Sequence, residues 1–93
     1  MSGKTIIVKT KRDPFQQAWA RKKLSELRLD DDKDYCIGDT LIQREWKPTR
    51  GEFTGREIKA VISAITRLAH WVPDVDHRWV ILHLDPETFE RSF

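Results

Sequence analysis

The chain has 93 residues, 39% of them hydrophobic and 34% charged. That balance excludes an intrinsically disordered chain and predicts one small domain over 1–93 with a single modest core. Lys and Arg number 17 against 15 Asp and Glu, a formal net charge of +2, which excludes a generic polyanion binder acting through its whole surface.

The charge is unevenly placed. Lys4, Lys9, Lys11, Arg12, Arg21, Lys22 and Lys23 make the first quarter basic, and Asp30, Asp31, Asp32 and Asp34 form an acidic knot after it. A local basic face attracts phosphates even when the total charge does not. The lone Cys36 excludes an internal disulfide and a cysteine zinc cluster; between Tyr35 and Ile37 it reads as a buried structural thiol. Thr5-Ile6-Ile7-Val8 is too short for the apolar region of a signal peptide, and no apolar run reaches membrane-spanning length. The expectation is a cytoplasmic protein with no membrane partner.

In chain order, β-branched Thr5 to Lys9 predicts a first strand. Asp13-Pro14 predicts a helix start, with Asp13 as N-cap and Pro14 at the first helical position. Phe15, Ala18, Trp19 and Lys22 follow helical spacing, which puts Phe15 and Trp19 in the core and ends the helix near Lys22 or Lys23. Leu24 to Leu29 predicts the second strand. Asp30 to Asp34 is a polar loop, Gly38-Asp39 a turn, and Thr40 to Trp46 the third strand. Lys47 to Gly51 is a hairpin connection, since Pro48 cannot sit in a strand interior. The fourth strand runs from about Phe53 or Gly55 to about Thr66, with Ile58, Ala60, Ile62 and Ala64 on one face. Leu68 to His77 is a loop and Arg78 to Leu84 the last strand. Asp85-Pro86 predicts a short C-terminal helix. About five mostly antiparallel strands with one early helix define an α+β domain, and closing the sheet into a small barrel would remove its exposed edges.

Chemistry concentrates at Lys22-Lys23-Leu24-Ser25-Glu26-Leu27-Arg28. On a strand, Glu26 and Arg28 share one face, and Leu27 and Leu29 share the other, which predicts that the leucines hold the strand against the core. A carboxylate beside a guanidinium, next to two lysines, suits phosphate or base-edge recognition.

Five segments in order carry a resemblance: Lys23-Leu24-Ser25-Glu26-Leu27-Arg28, Ile37-Gly38-Asp39, Leu41 to Glu45, Gly51 to Ile58 with its Thr54-Gly55-Arg56, and Trp79 to Leu82. Together they resemble the ASCH-related domains of the PUA-like superfamily, in particular a small branch common in phages and prophages. The resemblance covers about residues 5 to 85. It implies a PUA-like pseudo-barrel with a helix beside a cleft, a nucleic-acid or nucleotide ligand, usually RNA, and a cleft lined by Lys23, Glu26 and Arg28. Arg21 stands where these domains usually have glycine, Leu24 where they have threonine, and the loop after Arg28 is acidic where theirs is basic. Some relatives resemble amidohydrolases of acetylated cytidine with a threonine nucleophile; Glu26 occupies that position here, and a carboxylate cannot copy a hydroxyl's role. That leans away from an enzyme, with a small hydrolase or nuclease of modified nucleosides or RNA as one alternative. A phage module that blocks a host protein, using the acidic loop as a nucleic-acid mimic, is the other.

Trp71, beside His70 in a loop, is the candidate for base stacking, whereas Trp19 and Trp79 read as core. Arg50 and Arg56 flank the Gly51–Gly55 turn and read equally as phosphate contacts or as a solvated hairpin. His70, His77 and His83 are too scattered for a metal site, and no glycine-rich phosphate loop occurs, so neither metal nor cofactor is expected. The candidate ligand-binding set is Lys22, Lys23, Glu26, Arg28, Arg56 and Trp71.

Overall fold

The computed structural model of the chain describes residues 3–31 and 33–92; Asp32 of the acidic knot lies outside them. It is a small α+β domain. β1 (Thr5–Lys11) leads directly into α1 (Arg12–Trp19), followed by β2 (Ser25–Leu29), β3 (Thr40–Lys47), β4 (Glu52–Arg67), β5 (Trp79–Leu84) and β6 (Glu90–Ser92). The strands form one mixed sheet in the order β1-β3-β4-β5-β2, with β6 added to β4. β1 and β3 run parallel, Thr5 opposite Thr40, and the other pairings are antiparallel. A parallel pair needs a crossover, and here α1, β2 and the loop to Asp39 supply it.

The closed barrel expected from edge protection is an open sheet: β1 and β2 end it on either side and make no backbone ladder with each other. Long β4 joins its two halves. Its first part pairs with β3 and its last part with β5, and the register shifts between Ile62 and Ala64. A bulge bends a strand and resets its faces. Ile58, Ala60 and Ile62 are therefore buried as the alternation predicts, but Ala64 is exposed, and Ile65 packs against the core instead.

The core joins Ile6 and Val8 of β1, Phe15 and Ala18 of α1, Leu41, the three β4 residues, and Val80, Leu82 and Leu84 of β5. The helix is shorter than predicted. Lys11 precedes it in extended conformation without a side-chain cap, Asp13 lies inside its first turn, and it ends at Trp19. Arg21 then adopts φ +61, a left-handed conformation that stops a helix. The C-terminal helix is only a 3-10 turn over Pro86–Thr88, capped by Asp85 accepting from the Glu87 N–H, and the chain continues into β6, which the sequence reading missed. Cys36 is half-buried rather than buried, its thiol donating to the Asp34 carbonyl at 3.4 Å.

Two buried carboxylates hold the connections. Asp39 accepts from the N–H groups of Gly3, Lys4 and Cys36 and from Lys4 Nζ at 2.6 Å. Gly38, at φ +96, turns the chain so that Asp39 enters the interior. Glu45 accepts from Thr54 Oγ1 at 2.6 Å and from Arg56 Nε and Nη2 at 2.9 and 2.8 Å. The β3–β4 register breaks there, and Gly55 at φ +98 lets Thr54 and Arg56 reach the same carboxylate. Gly38-Asp39 and Thr54-Gly55-Arg56, two of the segments that carry the resemblance, are thus tied to building the fold.

Candidate functional site

β2 inverts the expected arrangement. Leu27 is 53% exposed, whereas Glu26 is 4% exposed and points inward. The register explains it: Glu26 pairs with Leu82 and Arg28 with Val80, both core residues, so the polar face of β2 shares the core side of β5. The interior of the sheet is apolar at one end and polar at this one. Thr10 and Gln43, in phase with the buried residues of β1 and β3, continue the polar end across the interior.

Arg28 organises this end. Its Nη1 donates to the Lys9 carbonyl at 3.1 Å and its Nη2 to Thr10 Oγ1 at 2.8 Å, and Thr10 Oγ1 donates on to Gln43 Oε1 at 3.2 Å. One side chain thereby bridges β2 to β1 where the backbone does not. Glu26 Oε2 lies 3.7 Å from Arg28 Nη2, an ion pair without good hydrogen-bond geometry. Glu26 Oε1 and Arg28 Nε are buried without a hydrogen-bond partner. Burial raises the Glu26 carboxyl above its ordinary 4.5, against the opposing pull of Arg28 and Lys23.

Thr10, Glu26 and Arg28 line a cleft of about 500 Å³ together with Lys9, Lys11, Lys23, Leu27 and Trp79, with Gln43 buried behind Thr10. Lys23, Glu26 and Arg28 are brought together as expected. The rest of the predicted set is elsewhere. Lys22 is exposed in the turn after α1 and is not part of the cleft wall. Arg56 sits in a separate pocket with Arg12 and Lys47, its guanidinium on Glu45 and packed 4.7 Å from the Trp19 ring. Trp71 is 77% exposed and does not line the cleft. Trp79, expected in the core, is 37% exposed and stands at the rim, because β5 turns its Trp79-Ile81-His83 face outward. The sequence reading missed Thr10, Gln43 and Trp79. The signal available was a polar residue in phase with a buried strand face.

A second cleft of about 580 Å³ adjoins the first, sharing Lys9, Arg28 and Leu29 as a common wall. Among the described residues, no group of three His, Cys, Asp or Glu is close enough to hold a metal ion. Among the described residues, no helix is long and apolar enough to cross a membrane.

A small α+β domain with an open mixed sheet and a cleft of charged and apolar side chains at its unpaired edge is thus the class that fold and site define. The chain belongs to the DUF3850 family, described as a domain of unknown function, which matches residues 6–84. It is also similar to the "Uncharacterized 12.9 kDa protein in GpA 3'region" of Escherichia phage P2, at 39% identity over 83 residues, covering 89% of this chain and 70% of the phage protein. The relative is a phage protein, in line with the phage association expected from the sequence.

Proposed function

We propose that this chain is a PUA-like, ASCH-related module that binds RNA or a nucleotide in the cleft of Lys23, Glu26 and Arg28. The observation that carries the reading is Glu26 Oε1. A buried carboxylate oxygen without a partner costs free energy, and it sits in a cleft that also holds Lys9, Lys11, Lys23 and Arg28. A base amino group supplies the missing donor, and the lysines supply phosphate contacts. Arg21 adds support, since its left-handed backbone is the one glycine adopts freely, and glycine is the residue the resembling domains carry there. The near-neutral total charge suits a local contact rather than tight polyanion binding.

The test is a fluorescence titration with short RNA and DNA at low and moderate salt. Saturable binding that salt weakens and that Lys23→Ala or Arg28→Ala removes, with the fold intact by circular dichroism, supports the reading. No binding to any of them sinks it.

The raised Glu26 carboxyl also favours a second reading, a hydrolase or nuclease in which Glu26 serves as general base toward water. Turnover of acylated cytidine or RNA that is lost in Glu26→Gln would support it, and no turnover across such a panel would remove it. A host-protein target for the acidic loop is the remaining reading. It is motivated by the exposed Asp31 and Asp34 and tested by capture from host lysate that survives nuclease treatment.

A further inference from the structure

The two clefts at the β1–β2 edge differ in the charged groups they hold. The one already described has Glu26, Thr10 and three lysines beside Pro14, Leu27, Leu29 and Trp79. The other has an apolar and aromatic wall of Ile7, Val8, Leu29, Tyr35 and Phe53, with Asp31 and Lys33 at its margin. Each has the volume of a small-molecule pocket. Ile7 is 52% exposed there, apolar surface that the described residues leave half open. The clefts meet at Lys9, Arg28 and Leu29, and the Arg28 guanidinium is fixed at that partition by its bonds to β1.

We propose that the two clefts form one continuous site for two consecutive unpaired nucleotides, with one base in each and the linking phosphate at the Arg28–Lys9 partition. This rests on the nucleotide-binding reading of the first cleft and specifies the length and strandedness of its ligand. Charge sets the division of labour. Asp31 disfavours a phosphate inside the apolar cleft, so that cleft takes a base, whose faces suit Ile7, Leu29 and Phe53. Arg28 places a positive charge between the two, where the linking phosphate falls. Lys33 on one side and Lys11 and Lys23 on the other meet the flanking phosphates. A paired duplex cannot present both bases to two clefts separated by a side-chain wall, so the ligand is single-stranded.

The experiment titrates the whole chain with adenosine 5'-monophosphate and with the 5'-phosphorylated dinucleotide pApA. The expected result is that pApA binds at least tenfold tighter. Ile7→Glu and, independently, Lys33→Glu remove most of that advantage, while Lys23→Ala weakens both ligands. Melting curves establish that each variant folds; Ile7 and Lys33 are both exposed. Equal affinity for the two ligands, or an advantage that survives both cleft variants, overturns the two-nucleotide site. In either case loss of monophosphate binding in Lys23→Ala leaves the first cleft standing. No binding of either ligand to the wild-type chain overturns both.

Discussion

Replacing Glu26 with Gln should make the protein more stable and a worse binder. Glu26 is 4% exposed, its Oε1 has no partner, and its contact with Arg28 is 3.7 Å long. Burial is the dominant influence and raises its carboxyl above 4.5. At neutral pH the folded state therefore carries a charge it holds less comfortably than the unfolded chain does. Gln keeps the shape and removes the charge, leaving Arg28 its bonds to Lys9 and Thr10. The expected gain is ~1–2 kcal/mol, the range for relieving a poorly compensated buried polar group. For a domain of this size that raises Tm by roughly 5–10 °C. The sign with pH follows from linkage: a folded-state value above the unfolded one makes the wild type lose relative stability as pH rises from about 4.5 through the raised value. The gap between Glu26→Gln and wild type should be larger at pH 8 than at pH 4. Effects of the other carboxylates cancel in the difference. The assay is thermal unfolding followed by circular dichroism at both pH values. A variant that melts below wild type at pH 8, or a gap that does not shrink toward pH 4, refutes the reasoning.

Other substitutions separate the parts of the molecule. Asp39→Asn should destabilise by about 3 kcal/mol, since a buried acceptor of three N–H groups and Lys4 is replaced by a neutral amide; a melting shift of only a degree or two would contradict that. Arg56→Ala should cost about 3–5 kcal/mol by stranding buried Glu45 and should not selectively alter nucleotide affinity; denaturant titration and binding at a temperature where it is folded check both. Leu27→Lys should change stability by no more than about 0.5 kcal/mol because the side chain is exposed. A large loss in urea titration would restore the expectation that Leu27 faces the core. The Glu45 carboxyl is held below its ordinary 4.5, mainly by the Arg56 hydrogen bonds acting against burial. Its contribution is complete above about pH 4.5 and is lost as pH falls through the depressed value, so Glu45→Gln should show less acid destabilisation than wild type in melts between pH 5 and 3.

Most strands were legible because β-branched alternation and turn residues mark them directly. Thr5, Thr40 and Trp79 open strands close to where the sequence places them. What was not legible depended on partners distant in sequence. Whether Leu27 or Glu26 faces inward is decided by the pairing of β2 with β5, and alternation alone defines two faces without saying which is buried. The apolar choice was wrong because this end of the interior is polar. Trp79 went the same way, since Val80, Leu82 and Leu84 claimed the core face. The early end of α1 turns on the left-handed backbone of Arg21, a conformation that an arginine does not advertise. For the site, residue identities at Lys23, Glu26 and Arg28 were readable from one segment, but Thr10 and Gln43 join it only through the parallel β1–β3 pairing.

That pairing also bears on the order in which the molecule assembles. β3 and β4 are joined by a short turn and can zip locally, whereas β1 must wait for the helix, β2 and the following loop before it finds β3. Contacts of long sequence separation form late and slow folding. The Arg28 bridge between β2 and β1 connects the two elements that arrive by the longest routes, so the cleft should be the last region to form and the first to open. Substitutions at Thr10 or Arg28 should then speed unfolding while leaving the folding rate nearly unchanged, and the protein should lose the cleft by local opening before it loses its core.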